Sequence, residues 1–383
     1  MAFPMTHLLI ENAWVVLRDA EFRGWVAIVD GHIAELGEGA APERGVDFSG
    51  DMLIPGLVEL HTDHLESHLR PRPKVSWPTR PSIIAYDHQL AASGITTVFD
   101  SIRVGNDADY IPERNEALKL VEAIAEADQL GLLRVDHKTH LRCEICADDV
   151  LEGARDVMAA QHVNLISLMD HTPGARQFAS LDAWRTYYGG KSGLPYDQLD
   201  VLMDRKRQQF DRNYARHRAA LIGMARAHGA AIASHDDTTR EHVLESIADK
   251  VEVAEFPTSL ESAAMSHEAS IAVLMGAPNV VRGGSHSGNV AAEALAREGV
   301  LDILSSDYVP GSLLIGAFEL ARRIEGYGLP KAMRTITFNP AEACGFADRG
   351  EIAPGKAADL LRVRVVEDAP IILEVYRNGC RIV

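Results

Sequence analysis

The sequence predicts an α/β fold: a (β/α)8 TIM-like barrel carrying a small β domain built from both termini. Three observations lead there. The middle of the chain alternates short apolar runs with longer helical patterns. Both ends read as strands and hairpins. No glycine-rich phosphate loop follows the first apolar run of the middle, which disfavours a doubly wound open sheet.

The ends come first. His7–Arg18 is one apolar run, and Trp25–Leu36 is a hairpin pattern with Asp30-Gly31 as its tight turn. Near the other end, Ala358–Val365 and Ile371–Arg377 are strand patterns, and Asn378-Gly379 is a second hairpin turn before Cys380–Val383. Residues 1–54 and 346–383 are therefore expected to form one composite β domain, with 55–345 as the barrel.

Eight strands are expected in the middle: Gly56–Leu60, Ile95–Phe99, Val135–Leu141, Val163–Met169, Ala231–Ser234, Val251–Glu255, Asn279–Arg282 and Ile303–Ser305. Helical periodicity fills Asn115–Gln129, Arg205–His228, Arg240–Asp249, Ser259–Met275, Ala291–Glu298 and Leu313–Tyr327. A strand followed by a crossover, eight times, is the arithmetic of the barrel.

Composition narrows the function. The 383 residues include 55 acidic and 38 basic side chains, a net charge of −17, which speaks against nucleic acid and anionic membrane as partners. Four cysteines make no disulfide framework, and Cys143-x-x-Cys146 lacks the second pair of a zinc knuckle, so free thiols are expected. No apolar run reaches the roughly 18 residues of a membrane span, and no signal peptide is visible, so the cytoplasm is the expected location.

The 16 histidines matter through their placement. Barrels of this type keep their chemistry at the C-terminal ends of the strands. Reading past each strand gives His61-Thr-Asp63-His64, Asp100, His140-Leu-Arg142-Cys-Glu144, Asp170-His171, His235-Asp-Asp237, Glu255, Gly283-Gly-Ser-His286-Ser-Gly-Asn289, and Ser306-Asp307. Side chains two apart on a strand share a face, so His61 with Asp63, and His140 with Arg142 and Glu144, are expected to point together. Imidazole and carboxylate in this number suit zinc, manganese or iron. Singly, each has a plainer reading: a lone His hydrogen-bonds, and Glu144 and Asp307 can cap helices.

Two stretches reverse the global charge. Ser67–Arg80 holds Arg70, Arg72, Lys74 and Arg80 with no acid, and its prolines stiffen it. Ala269–Ala292 also lacks acids, and its Arg282-Gly-Gly-Ser285-His286-Ser-Gly-Asn289 loop can bring backbone N–H groups to an anion. Arg70, Arg72, Lys74, Arg282, Ser285, His286 and Asn289 are thus candidates for holding an anionic substrate.

The Leu53–Asp63 segment, the strand-end pattern and Gly350-x-Ile352-x-x-Gly355-Lys-x-Ala358-Asp359-Leu together resemble the amidohydrolase superfamily, whose fold is a metal-dependent hydrolase barrel. Longer stretches, including His61–Glu66, Pro71–Pro78, Ser167–Gly174, Val281–Val290 and Leu304–Tyr308, are similar to the branch that serves phosphonate (carbon–phosphorus lyase) catabolism. This resemblance implies hydrolysis of α-D-ribose 1-methylphosphonate 5-triphosphate to the 5-phosphate and pyrophosphate. It implies two divalent ions, zinc first, held by His61, Asp63, Glu144, His171, His235 and Asp307, with Asp307 as the catalytic proton acceptor. Glu144 would replace the usual bridging lysine, and His171 or His286 the usual sixth-strand histidine, where Glu255 stands. A homodimer is a superfamily expectation. The rival reading is a C–N hydrolase, a cyclic amidase or an N-acyl amino acid deacylase, using the same metals.

Overall fold

The computed structural model describes residues 7–72, 74–106, 115–176, 180–192, 195–285 and 288–383. The first elements are β1 (His7–Val16), β2 (Glu21–Val29), β3 (His32–Glu38), β4 (Val46–Asp47) and β5 (Met52–Pro55). The chain then enters eight parallel strands: β6 (Leu57–Thr62), β7 (Ile95–Val104), β8 (Asp136–Glu144), β9 (Val163–Met169), β10 (Ala231–His235), β11 (Val253–Glu255), β12 (Ala272–Gly276) and β13 (Ile303–Ser305). It ends with β14 (Leu360–Val366), β15 (Ala369–Arg377) and β16 (Cys380–Arg381).

The terminal strands form one mixed sheet in the order β16-β15-β14-β5-β1-β2-β3, with β4 against β1. Chain start and chain end meet where β14 pairs antiparallel with β5. Both dipeptide turns adopt the left-handed backbone that a two-residue hairpin needs: Asp30 and Gly31 have φ of 48° and 81°, Asn378 and Gly379 48° and 70°. Ile10, Val15, Ile28, Phe48, Leu53 and Leu360 form the core of this sheet.

The eight parallel strands run in sequence order from β6 to β13. Helices alternate with them: α1 (Leu65–Leu69), α2 (Thr79–Ala92), α3 (Glu116–Gln129), α4 (Val150–Ala160), α5 (Leu181–Ser192), α6 (Tyr196–His228), α7 (Arg240–Ala248), α8 (Leu260–Glu268), α9 (Ala277–Arg282), α10 (Ala292–Arg297), α11 (Ser312–Arg323), α12 (Leu329–Arg334) and α13 (Phe338–Ala343). Inside the strands, Val58, Leu60, Phe99, Leu165, Ala233, Val253, Leu274 and Ile303 pack as a filled interior. Burying each of these side chains other than Ala233 stabilises by about 1.5–3 kcal/mol. No described helix is long and apolar enough to cross a membrane.

The seam between the first and eighth strands is closed by side chains more than by a ladder. Buried Glu59 accepts the backbone N–H of His61 (2.7 Å) and of Ser306 (2.5 Å). Thr62 Oγ1 donates to the Asp307 carbonyl at 2.9 Å, and the Asp307 N–H donates to the His61 carbonyl at 3.1 Å. Burial pushes the Glu59 carboxyl up to about 7, against those hydrogen bonds. The seam thereby fixes His61 and Asp307 as neighbours.

The seventh strand is not where the sequence placed it. Asn279–Arg282 belongs to the short helix α9, and the strand is β12, which overlaps the end of the stretch expected to be helical. The buried run Ile271–Met275 has no polar alternation, so periodicity cannot separate a strand from a helix tail there. Pro278 sits in the first turn of α9, where a missing N–H costs nothing. The glycine-rich loop at Arg282 therefore follows a helical turn.

Candidate active site

The C-terminal strand ends surround a cavity of about 250 Å³. His61, Arg142, His171, His235, Asp236, Phe256 and Asp307 form its strand-end wall. Asn279, Arg282, Gly284, Ser285, Asn289 and Tyr308 form the wall beyond β12 and β13. Three residues just past strand ends, Asp236, Phe256 and Asp307, hold φ of 56°, 53° and 54°. Left-handed backbone is uncommon outside glycine, and for a phenylalanine more so. Such conformations collect at functional sites.

Glu255, the last residue of β11, stands at the centre. It is fully buried, and its two oxygens accept from His61 Nδ1 and His235 Nδ1, each at 2.9 Å. Ser167 Oγ donates to it at 2.7 Å. Burial alone would raise its pKa, but the neighbouring imidazoles and these hydrogen bonds hold it well below the usual range. His61 is the counterpart: burial pulls it down, and Glu255 more than offsets that, leaving it raised. His140 is buried with Nδ1 donating to the Leu60 carbonyl at 2.9 Å. Burial brings it to about 3, so it is a neutral imidazole, whose Nε2 meets Ser167 Oγ at 2.5 Å and lies 3.8 Å from Glu255.

A second carboxylate plays a similar part. Glu144 accepts from His171 Nδ1 at 2.6 Å and from the His171 backbone N–H at 3.3 Å. Burial would raise Glu144, but His171, Lys206 and Arg103 hold it down. A carboxylate on Nδ1 fixes the tautomer and aims Nε2 at the cavity, as second partners of metal-ligating histidines do.

Among the described residues, two groups bring three ligand atoms within 4.8 Å of one another: His61, His140 and Glu255, and His171, His235 and Asp236. Their donor chemistry, four imidazoles and two carboxylates, fits divalent zinc, manganese or iron. Phe256 packs edge-on against both His61 and His235, with ring centroids 5.0 and 5.4 Å away. Behind them, buried Arg176 donates to the His235 carbonyl at 3.0 Å and pairs with Asp237, which pins the end of β10.

Of the residues singled out in the sequence, His61, His171, His235, Asp307, Arg282, Ser285 and Asn289 line the cavity. Glu144 lies behind His171. Asp63 is in neither ligand group; β6 ends at Thr62 after an irregular register, and Asp63 faces Arg142 Nη1 at 3.4 Å. Arg70 pairs with Glu116 outside the cavity. Arg72 and Lys74 are exposed and do not line it. His286 lies outside the described residues. Cys143 and Cys146 are free thiols. Glu255, His140, Asp236 and Arg142 were visible at strand ends but not singled out. A charge closing a buried apolar strand was the signal for Glu255.

The model of the family described as "Amidohydrolase family" matches residues 113–370. A curated relative, the α-D-ribose 1-methylphosphonate 5-triphosphate diphosphatase of Escherichia coli (strain K12), is 41% identical over 378 residues, 98% of this chain and 100% of its own. The chain belongs to the amidohydrolase family. The imidazolonepropionase of Deinococcus deserti is 24% identical over 362 residues, 88% of this chain and 85% of its own. Among solved structures, N-acetyl-D-glucosamine-6-phosphate deacetylase from Mycobacterium smegmatis superposes with a TM-score of 0.62 at 16% identity, covering 98% of this chain and 100% of that one. The 5-methylcytosine deaminase of Klebsiella pneumoniae, liganded with 5-fluorocytosine, gives 0.64 at 15% identity, covering 98% and 97%. These two show a shared amidohydrolase fold.

Proposed function

We propose that this chain hydrolyses α-D-ribose 1-methylphosphonate 5-triphosphate to the 5-phosphate and pyrophosphate. The observation that carries the reading is full-length identity of 41% to a diphosphatase with that substrate in its name. The cavity is compatible with it, because Arg142 and Arg282 line the same space as the imidazoles.

His61, His140 and Glu255 would hold one divalent ion, and His171, His235 and Asp236 a second, with zinc first and manganese or iron as alternatives. Bound there, such ions supply positive charge to phosphoryl oxygens and make water more acidic. The chain's own residues do the rest. A water oxygen bonds to the phosphorus nearest the ribose, and the bond from that phosphorus to the outer pyrophosphoryl unit breaks. Asp307, in the cavity beside His61, orients that water and takes its proton. Arg142 and Arg282 offset charge that builds on the phosphoryl oxygens. Phe256 keeps water away from the imidazole faces it covers.

Product analysis tests the reading. Metal-loaded protein given the triphosphate is expected to release one pyrophosphate per 5-phosphate and no orthophosphate. Equimolar orthophosphate instead would place attack at the terminal phosphorus. Cleavage of an N-acyl amino acid or a dihydropyrimidine, with the triphosphate untouched, would establish the C–N hydrolase. Asp307→Asn is expected to lower kcat by about 100-fold or more; near-full turnover would remove Asp307 from the proton transfer.

A further inference from the structure

We propose that Arg142 is the specificity-determining residue of this site: it receives the phosphoryl group that stays on the ribose, while Arg282 receives the pyrophosphate that leaves. The inference rests on the proposed hydrolase reading and adds what orients the substrate.

Arg142 occupies an unusual place. It projects from β8 between buried His140 and buried Glu144, and it lines the cavity with His61, His171 and His235. Its side chain is only 13% exposed. Its one polar contact among the described residues is the 3.4 Å approach of Nη1 to Asp63 Oδ2, and its Nε is buried with no partner. A guanidinium carries five N–H donors and cannot discharge by losing a proton. Burying it with so few acceptors is costly unless a ligand supplies them. The missing acceptors are charged oxygens arranged as a fork, as in a phosphate or a carboxylate, and on the proposed triphosphate they are phosphoryl oxygens. An amide or a cyclic ureide has too few of them and no charge.

Arg282 lines the same cavity from a different setting. It lies at the end of α9 beyond β12, is exposed, and reaches Tyr308 OH at 3.5 Å. In an eight-stranded barrel the third and seventh strands face each other across the mouth. The two arginines therefore stand on opposite walls, one deep beside the imidazoles and one on the rim. A triphosphate laid between them puts its inner phosphate at Arg142 and its outer two toward Arg282. That polarity places the scissile bond on the rim side of the reacting phosphorus. Asp63 is the positioning residue that aims Arg142 inward.

Calorimetric titration of metal-loaded protein with two probes, ribose 5-phosphate and pyrophosphate, tests this without turnover. Arg142→Met is expected to weaken ribose 5-phosphate roughly 10- to 100-fold and pyrophosphate less than threefold. Arg282→Met is expected to show the reverse order. Arg142→Lys, which keeps the charge without the fork, should fall between, and added guanidinium should restore part of the ribose 5-phosphate affinity to Arg142→Ala. Metal content after dialysis is expected to match the wild type in all four. Unchanged ribose 5-phosphate affinity in Arg142→Met and Arg142→Ala overturns the proposal, as does an equal loss for both probes. Loss of metal in the Arg142 variants also overturns it, by making Arg142 a part of the metal shell. A wild type that binds both probes with this pattern but does not cleave the triphosphate would instead refute the hydrolase reading alone.

Discussion

The end of β8 and the segment that follows β6 both carry cations, and the two treat them differently. On β8, Arg142 is held among buried neighbours with its head in the cavity. In the Ser67–Arg80 loop, Arg72 and Lys74 are exposed, and Arg70 is paired with Glu116. The loop has the denser charge in sequence, yet the strand supplies the cation that lines the site. A strand inside a ladder cannot relax its side chains outward, so a charge there must meet a partner or a ligand. A loop can let its charge drift into water, where it acts at longer range and is screened.

The largest effect expected along this contrast is at the strand ends. Glu255→Gln keeps the shape and removes the charge that accepts from His61 and His235. It is expected to lower metal affinity roughly 10- to 100-fold, measured as metal retained after dialysis, with turnover lost in parallel. Full metal retention would mean that Glu255 orders the imidazoles for another purpose.

The base of β8 gives the second test. His137 Nδ1 donates to Asp100 at 2.8 Å, and its Nε2 lies 3.3 Å from Asp87. Burial pulls this imidazole down, but the two carboxylates outweigh burial and carry it up to about 10. The sign follows from linkage. Because the folded pKa lies above the unfolded value near 6.5, the stabilisation is complete below about pH 6.5 and is lost as pH rises through about 10. The unfolding free energy from urea titration should therefore fall between those limits by an amount on the order of a few kcal/mol, and the midpoint with it. In His137→Gln the midpoint should be lower at pH 6 and flatter with pH. A wild-type midpoint that is level from pH 6.5 to 10 would show His137 neutral in the folded chain. This trio roots the strand that presents Arg142, five residues further on.

The same contrast explains what was legible in the sequence. Asp30-Gly31 and Asn378-Gly379 announced their hairpins, because only a few residue pairs tolerate left-handed backbone twice in succession. Val163–Met169 and Ile303–Ser305 were legible as short buried runs. His61, His171, His235 and Asp307 could be read because strand ends of a parallel barrel converge. The seventh strand could not, since an unbroken apolar stretch carries no period. Glu255 and His140 stand visibly at strand ends, but their coming together is hidden for another reason. Both are buried side chains whose partners sit on other strands, such as Ser167, Leu60 and His61. Spacing along one strand says nothing of such partners. Asp63 shows the converse: a two-residue spacing promises a shared face only while the strand continues, and β6 stops at Thr62.

The loop gives the smallest effect and the finest test. If its cations act at long range, removing them should slow the arrival of a polyanion without touching the bound state. The double substitution Arg72→Ala with Lys74→Ala is then expected to lower kcat/KM about two- to fivefold at low ionic strength. The change should vanish near 0.5 M salt, where screening acts within a few ångströms, and kcat should be unaltered at both. A fall in kcat that persists in high salt would have a different meaning: the loop would close on the bound phosphates, and its cations would touch the substrate as Arg142 does. Salt dependence separates the two because a contact made in a closed, water-poor site is screened far less than an approach through solvent.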